Sequence, residues 1–153
     1  MSDYMNPPPP PSIVVVQKDF GGEFYSYLLQ TEKYRKTNQK IALIRCSSAC
    51  TMALSLENVC VYPHSVLAFH AAYYEDSKHI AKRETNYIFG MYPKKVQEKL
   101  GSLEKDFKFL NGRQLIDLGI KACSLKVKPA AHNGFSVGSS PTTPTMMFNP
   151  RVP

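Results

Sequence analysis

A serine and a histidine stand at points of this chain where they could form a nucleophilic pair. Ser48 follows an apolar run at residues 41–44 and precedes an apolar, helix-compatible stretch at residues 49–56. We therefore expect it at a strand-to-helix turn, where unpaired backbone N–H groups and the helix dipole favour negative charge. His70 ends a second apolar run, residues 66–69. A strand that ends in an imidazole can hold it near a neighbouring turn, as the base that a serine nucleophile needs.

Backbone groups near the serine are candidates for stabilising the charge that its attack would create. A tetrahedral oxyanion needs two hydrogen-bond donors, and the N–H groups of Gly22 and Ala49 could supply them. Gly21 and Gly22 together also allow unusual dihedral angles and close approach of a ligand. Each feature by itself has an ordinary structural interpretation: an N-cap for the serine, a tight turn for the glycines and a satisfied structural role for His70.

The elements that must position these residues follow from the hydrophobic pattern. Short apolar runs predict strands at residues 13–16, 41–44, 59–62, 66–69, 107–110 and 125–127. Helical spacing predicts a helix from Glu23, a helical stretch at residues 49–56, two helices within residues 76–100 divided at Pro93, and a helix at residues 112–118 capped by Asn111 and ended by Gly119. This order predicts an α/β fold with helices packed on a mostly parallel sheet.

The 12 prolines of the 153-residue chain divide it into three parts. We predict a proline-rich N-terminal arm at residues 1–12, one domain at residues 13–128 and a Pro/Ser/Thr-rich C-terminal tail at residues 129–153 that builds no core of its own. This size excludes a two-domain enzyme with separate lobes. The chain has no apolar run of ~18 residues, which excludes a membrane span.

The net charge of +7 comes from basic residues scattered over the central domain. Such a pattern is typical of a solvated basic surface, and an acidic partner is the alternative. No nucleic-acid-binding motif interleaves these charges, so a nucleic acid is not the expected partner.

The cysteines and the N-terminus bear on the compartment. The first residues have neither a basic start nor an apolar segment, so no signal peptide is expected and the chain is assigned to the cytoplasm or to a larger particle. Cysteines of a cytosolic protein stay reduced, and we expect buried thiols, with a disulfide as the alternative for a protein exported or assembled outside a cell. Cys46, Cys50, His64 and His70 are a conceivable metal set, but their spacing fits no zinc module well, and we expect neither metal nor cofactor.

The order of these features resembles the ClpP/crotonase superfamily. The shared features are two glycines before a helix, a strand followed by Ser-Ala and a helix, and a proline-containing strand pair at residues 61–70 that ends in His70. The sequence Cys-Ser-Ser-Ala-Cys at residues 46–50 resembles the Cys-x-Ser-Ala-Cys segment of short ClpP-like serine protease homologues. Residues 109–120 are similar to the family's Phe-Leu-(Ser/Thr)-Ala…Gly-Leu segment, so the resemblance covers about residues 13–120.

The resemblance implies a ββα superhelix and a serine peptidase. In it Ser48 is the nucleophile, His70 the general base, Gly22 and Ala49 the oxyanion donors, and Gly21 part of the substrate-binding segment. The proline that precedes the two glycines in the family is here Phe20.

The third catalytic residue departs from the family pattern. The family's aspartate position is occupied by Phe107, and Asp106 lies one residue earlier. We assign Asp106 as the acid that orients His70, reached through a local bulge. A Ser-His dyad and an inactive site are the alternatives, since a one-residue shift on a strand reverses the face of a side chain.

The resemblance also implies partners. A polypeptide is the expected substrate, and residues 76–100 would join copies of the chain in a homo-oligomer, with Tyr73, Tyr74, Tyr87 and Tyr92 as exposed contacts. The alternative function is a catalytically impaired structural or assembly protein of the same fold, such as a virion or scaffold component whose tails lie across neighbouring subunits. Acyl-CoA chemistry, as in crotonases, is a third and more distant possibility.

Overall fold

The elements alternate between strand and helix, as the hydrophobic pattern predicts. The computed structural model describes residues 12–124 and 144–145. The strands are β1 (Ile13–Val16), β2 (Lys40–Ser47), β3 (Val59–Phe69), β4 (Tyr73–Tyr74), β5 (Lys108–Asn111), β6 (Lys121–Ala122) and β7 (Pro144–Thr145). The helices are α1 (Phe24–Thr37), α2 (Lys82–Met91), α3 (Lys94–Leu100) and α4 (Gly112–Asp117), and a 3-10 helix covers Ser48–Ser55.

The main sheet has the order β1-β2-β3-β5. β1 and β3 run parallel to β2, β5 is antiparallel to β3, and the short β6 pairs with β3 in parallel. The prediction of an α/β fold with a mostly parallel sheet is therefore confirmed. Buried parallel strands explain the unbroken apolar runs, because adjacent residues of β1 (15 and 16) and of β2 (41–43) are all buried, so both faces are covered there.

The strand pair predicted around Pro63 is a single strand, so the prediction of two separate strands is wrong. Pro63 lacks a backbone donor, and the pairing of β2 with β3 shifts register between Leu43 and Arg45. Ser65 fills the gap. Its buried Oγ donates to the Leu43 carbonyl at 2.6 Å and accepts the Tyr62 N–H at 2.9 Å. The hydroxyl replaces ladder hydrogen bonds, so the strand continues through the proline.

The helix boundaries follow local capping. The Glu23 carboxylate caps α1 by accepting the N–H groups of residues 25 and 26. Pro93 separates α2 from α3, as predicted. Asn111 caps α4 in a capping box with Gln114, and Gly119 follows with a φ of 103°, which confirms both predicted ends of this helix.

Helices α1 and α2 are joined through one buried carboxylate. Glu84, in the first turn of α2, accepts hydrogen bonds from the Tyr25 hydroxyl and from the Arg83 guanidinium. Burial opposes ionisation of Glu84, but the hydrogen bonds from Tyr25, from its own backbone and from Arg83 outweigh it and hold its pKa below the ordinary 4.5. The carboxylate is therefore ionised at neutral pH and also favours the N-terminus of α2.

The core lies between the sheet and the helices. Its largest fully buried side chains include Phe24, Tyr27, Leu43, Met52, Phe69, Ile88 and Leu115. On α4, Gly112 lies so close to β3 that a Cβ there would be 1.6 Å from the Tyr62 carbonyl oxygen. The opposite face of the second half of the sheet stays open, where Arg45, Val66 and Phe109 point outward.

All four cysteines form disulfides, so the expectation of reduced thiols is wrong. Cys46 is joined to Cys50, and Cys60 to Cys123, with Cα–Cα distances of 5.5 and 4.9 Å. Both distances lie in the range that a disulfide requires. The bond between Cys46 and Cys50 also removes their thiols from the conceivable metal set.

Several predictions fall on residues that the structure does not describe. The predicted strand at residues 125–127 and nearly all of the N-terminal arm lie outside the described residues. Of the C-terminal tail, only β7 is described, and it pairs antiparallel with β4. Within the described residues, no helix has both the length and the apolar character to cross a membrane.

Candidate active site

Ser48 lies at a tight junction between strand and helix. Ser47 ends β2 in an extended conformation, and Ser48 begins the 3-10 helix with a φ of +62°, in the left-handed region. A side chain other than glycine costs roughly 1–2 kcal/mol there. The disulfide between Cys46 and Cys50 spans the junction from two residues before Ser48 to two residues after it. This strained turn is held by covalent structure as well as by packing.

A buried hydrogen-bond chain supports the same turn from inside the core. Thr51 Oγ1 donates to the Ser48 carbonyl at 2.6 Å and lies 2.6 Å from the Tyr92 hydroxyl. Tyr92 packs edge-on against Phe69, with ring centroids 5.3 Å apart. Burial raises the pKa of Tyr92, so its phenol stays neutral. The expectation that Tyr92 is exposed is therefore wrong, because its ring fills the core beneath the Ser48 turn.

The structure brings His70 to Ser48. Pairing of β2 with β3 sets Ser47 beside Ala68, so the two strands end side by side and His70 follows directly. Ser48 Oγ lies 2.5 Å from His70 Nε2, and both residues are buried, at 0% and 3% exposure. In the tautomer that carries its proton on Nδ1, Nε2 accepts a hydrogen bond from the serine hydroxyl at this distance, which is the arrangement that a serine nucleophile and its base require.

Two aromatic rings pack against the imidazole. The Phe107 ring centroid lies 4.6 Å from that of His70, and the Tyr73 ring centroid lies 5.9 Å from it. The chain after the histidine is anchored by a hydrogen bond from the Ala71 N–H to the Glu104 carbonyl at 2.7 Å. Ring packing and this backbone contact restrict the position of the imidazole.

Asp19 ties the glycine segment to the end of β2. Its backbone N–H donates to the Arg45 carbonyl at 3.0 Å, and its carbonyl accepts the Ser47 N–H at 2.8 Å. Its buried carboxylate accepts the Gly21 N–H and the Tyr27 hydroxyl, each at 2.8 Å. Gly21 has a φ of 89°, a conformation that favours glycine. The sequence analysis missed Asp19, whose only signal was an acid directly before the turn residues.

The predicted oxyanion donors lie on the two segments that flank Ser48. Asp19 pairs with the end of β2 through its backbone, and Gly22 follows it by three residues. Ala49 is fully buried in the second position of the 3-10 helix, where a backbone N–H has no partner within the helix. Ser48, Ala49 and His70 thus lie together, and Gly22 lies on the segment that Asp19 ties to the end of β2.

Asp106 is not brought into this neighbourhood. It is exposed, and its carboxylate makes no hydrogen bond or ion pair with any described residue. Phe107, at the position that the sequence resemblance gives to the acid, is instead the residue that contacts the imidazole. The physical reason is that Asp106 lies in a bend before β5, which begins at Lys108, and its side chain is exposed, whereas Phe107 packs on His70.

An apolar groove opens beside the pair, and the sequence analysis did not anticipate it. It has a volume of about 220 Å³ and is lined by Phe20, Arg45, Ser47, Val66, Ala68, Phe107 and Phe109. Phe20, Val66 and Phe109 are 40%, 39% and 63% exposed. Three of the lining residues, Phe20, Ser47 and Phe107, adjoin or contact the glycines, Ser48 and His70. Among the described residues, no group of three or more His, Cys, Asp or Glu side chains could hold a metal ion.

Comparisons with known proteins found no match for this chain. No protein-family model matches it, and neither a curated protein nor a solved structure does. Its function must therefore be argued from the geometry of the site itself.

Proposed function

We propose that this protein is a ClpP-like serine hydrolase, a peptidase built on the ββα superhelix of the ClpP/crotonase superfamily. The observation that carries the proposal is the 2.5 Å contact between Ser48 Oγ and His70 Nε2 at a strained strand-to-helix turn. The motifs in residues 13–120 that resemble the superfamily and the mostly parallel sheet support it. The disulfide across the turn and the Thr51 hydrogen bond hold the serine in a conformation that it would not adopt unaided.

The proposed reaction is acyl transfer in two steps. Ser48 Oγ attacks the scissile carbonyl carbon while its proton passes to His70 Nε2, and the carbonyl oxygen becomes an oxyanion. The C–N bond then breaks, and the imidazolium gives its proton to the departing amine. Water, deprotonated by His70, attacks the acyl-enzyme, releases the carboxylic acid and restores the serine.

The remaining residues have supporting roles in this proposal. The N–H groups of Gly22 and Ala49 donate to the oxyanion, and the extended substrate lies along Gly21. The loss of one oxyanion donor costs about 10²–10³ in kcat, so these two groups matter as much as the base. We leave Asp106 outside the reacting group because it is exposed and does not contact His70.

A second function, a non-enzymatic assembly protein of the same fold, is favoured by one observation. Ser48 has no exposed surface, so a substrate must displace what covers it. The position of Asp106 points the same way, since losing the orienting acid from a triad costs about 10⁴ in kcat. In this proposal the tails contact neighbouring subunits, and copies associate through α2 and α3, where Tyr87 is exposed.

A fluorophosphonate probe tests the hydrolase proposal directly, because it modifies only activated serines. We expect the folded protein to be labelled at Ser48 and labelling to be lost in Ser48→Ala. His70→Ala should lower the labelling rate by at least about 10²-fold, since the general base is removed. Matched controls are Ser77→Ala and His79→Ala, two exposed residues of the loop after β4, which should label like the unmodified protein.

The outcome separates the two functions. Labelling confined to Ser48, followed by peptide cleavage that Ser48→Ala abolishes, supports the peptidase. Absence of labelling in folded protein at a high probe concentration refutes it. Sedimentation of the same samples then shows whether the chain assembles.

A further inference from the structure

The apolar groove beside the Ser48–His70 pair has the size and lining of a side-chain site. A dry cavity of about 150 Å³ is enough to bind benzene, so about 220 Å³ accommodates an aromatic side chain with its methylene group. Its floor is the outer face of the sheet, where Ser47, Ala68 and Phe109 lie in one row across three strands. Phe107 connects the groove to the pair, because its ring also contacts the His70 imidazole.

The described charged side chains at the groove are positive. Among the described residues, Arg45 is the only ionisable one that lines the groove, and its guanidinium makes no hydrogen bond or ion pair with any of them. Lys18 adds a second positive charge nearby, since its Nζ lies 5.2 Å from the centre of the Phe20 ring. No aspartate or glutamate of residues 12–124 lines the groove. An occupant that combines an apolar group with a carboxylate would match both the lining and its charge.

We propose that this groove binds a large apolar side chain of the peptide substrate while Arg45 pairs with a carboxylate next to it. The inference rests on the proposed function, because the groove's position beside Ser48 makes its occupant a substrate. It adds the substrate class: segments in which an aromatic or large aliphatic residue is flanked by acidic residues. Arg45 is the residue that sets this specificity.

The charge argues for such a peptide over a second copy of this chain. A symmetric contact between two copies would bring the same groove, or its surroundings, together with another molecule of net charge +7. The positive charges of Arg45 and Lys18 would then need acidic partners on a molecule that is itself strongly basic. An acidic peptide supplies these carboxylates directly.

Binding is measured on the Ser48→Ala protein, so that no peptide is cleaved. The probes are three fluorescein-labelled heptapeptides that share a spacer and differ only in the core: Ala-Ala-Glu-Phe-Glu-Ala-Ala, the same peptide with both Glu replaced by Lys, and the same peptide with Phe replaced by Ala. Fluorescence anisotropy should show the Glu-Phe-Glu peptide binding about tenfold more tightly than the Glu-Ala-Glu peptide. The Glu-Phe-Glu peptide should also bind at least about fivefold more tightly than the Lys-Phe-Lys peptide.

Two variants, each with a matched control, locate the binding. Arg45→Glu should remove the preference for Glu over Lys, whereas Lys95→Glu, the same charge change at an exposed position of α3, should preserve it. Phe109→Ser should weaken the Phe-containing peptides about tenfold, whereas Leu29→Ser, which removes an equally exposed apolar residue of α1, should not.

Failure of this inference and failure of the hydrolase proposal give different results. If Ser48 is labelled but Arg45→Glu and Phe109→Ser leave the peptide affinities unchanged, only the groove assignment is overturned. Peptide binding of the expected pattern without any serine labelling overturns the hydrolase and leaves a peptide-binding groove. A third result is a dimer in sedimentation that Phe109→Ser dissociates, while the peptide affinity is unchanged. That result would show that a second copy occupies the groove, and it would overturn the proposal.

Discussion

The two disulfides allow activity to be separated from stability. The Cys46–Cys50 bond spans the Ser48 turn, whereas the Cys60–Cys123 bond joins β3 to the chain after β6, away from that turn. We compare the double variants Cys46→Ala/Cys50→Ala and Cys60→Ala/Cys123→Ala. Only the first should reduce the reactivity of Ser48.

The expected losses of stability are similar. A cross-link stabilises by limiting the unfolded chain, by about 2 kcal/mol for a loop of about five residues and about 4 kcal/mol for one of about 64. Cys46 and Cys50 are also fully buried, and losing two packed sulfur atoms adds about 1.6 kcal/mol to the first variant. Each variant should therefore lose about 4 kcal/mol of unfolding free energy.

The expected losses of reactivity differ. Ser48 holds a left-handed conformation that costs roughly 1–2 kcal/mol, and the Cys46–Cys50 bond restrains it. Without the bond, this free energy favours relaxed turns in which Oγ leaves His70. The rate of fluorophosphonate labelling should fall about 5- to 30-fold. The Cys60–Cys123 variant should label at the rate of the unmodified protein.

The assay combines urea unfolding, followed by circular dichroism, with labelling rates measured where each variant is folded. Because the stability losses are matched, a rate difference between the variants reports on the Ser48 turn. Equal labelling rates in both variants would refute the reasoning that the small disulfide maintains the serine conformation. A large rate loss in the Cys60–Cys123 variant would refute it as well.

Three further predictions concern the elements around the site. Tyr92→Phe removes the hydroxyl below the Ser48 turn and should lower the unfolding free energy in urea by about 1 kcal/mol and slow the labelling of Ser48. An unchanged labelling rate would show that the hydrogen bonds through Thr51 do not support the turn. Glu84 stabilises the fold above its unfolded pKa, and this contribution is lost as pH falls through its lower folded pKa. Glu84→Gln should therefore flatten the acid side of the stability–pH curve, and an unchanged slope would contradict the assignment. Gly112→Ala places a Cβ on the Tyr62 carbonyl and should cost about 3 kcal/mol or more, whereas Gly90→Ala, a helical site with open space, should raise stability by about 0.5–1 kcal/mol.

The positions of most elements were predictable from local sequence. β-branched runs marked the buried strands, and a proline and an Asn…Gly pair marked the helix ends, because capping and breaking depend on a few adjacent residues. The strand through Pro63 was not predictable in this way. It depends on the Ser65 hydroxyl reaching the carbonyl of Leu43 on the neighbouring strand, which is a tertiary contact.

The pairing of the cysteines also depends on tertiary contacts that the local sequence does not reveal. Their number and positions are visible in the sequence, but the pairing depends on distances across the fold. Cys60 and Cys123 are 63 residues apart along the chain and become neighbours only because β6 pairs with β3. An argument from compartment alone led to the opposite expectation.

For the candidate site, the sequence by itself determined which residues are candidates for the proposed chemistry, namely Ser48, His70 and the glycines before α1. Only the tertiary structure decided how they meet: parallel pairing of β2 and β3 sets the histidine beside the serine. It also decided that Phe107, and not Asp106, contacts the imidazole, and that Arg45 lies in an apolar groove. Residue types carry reactivity, but the direction of each side chain depends on strand register, and register is set by partners far away in the chain.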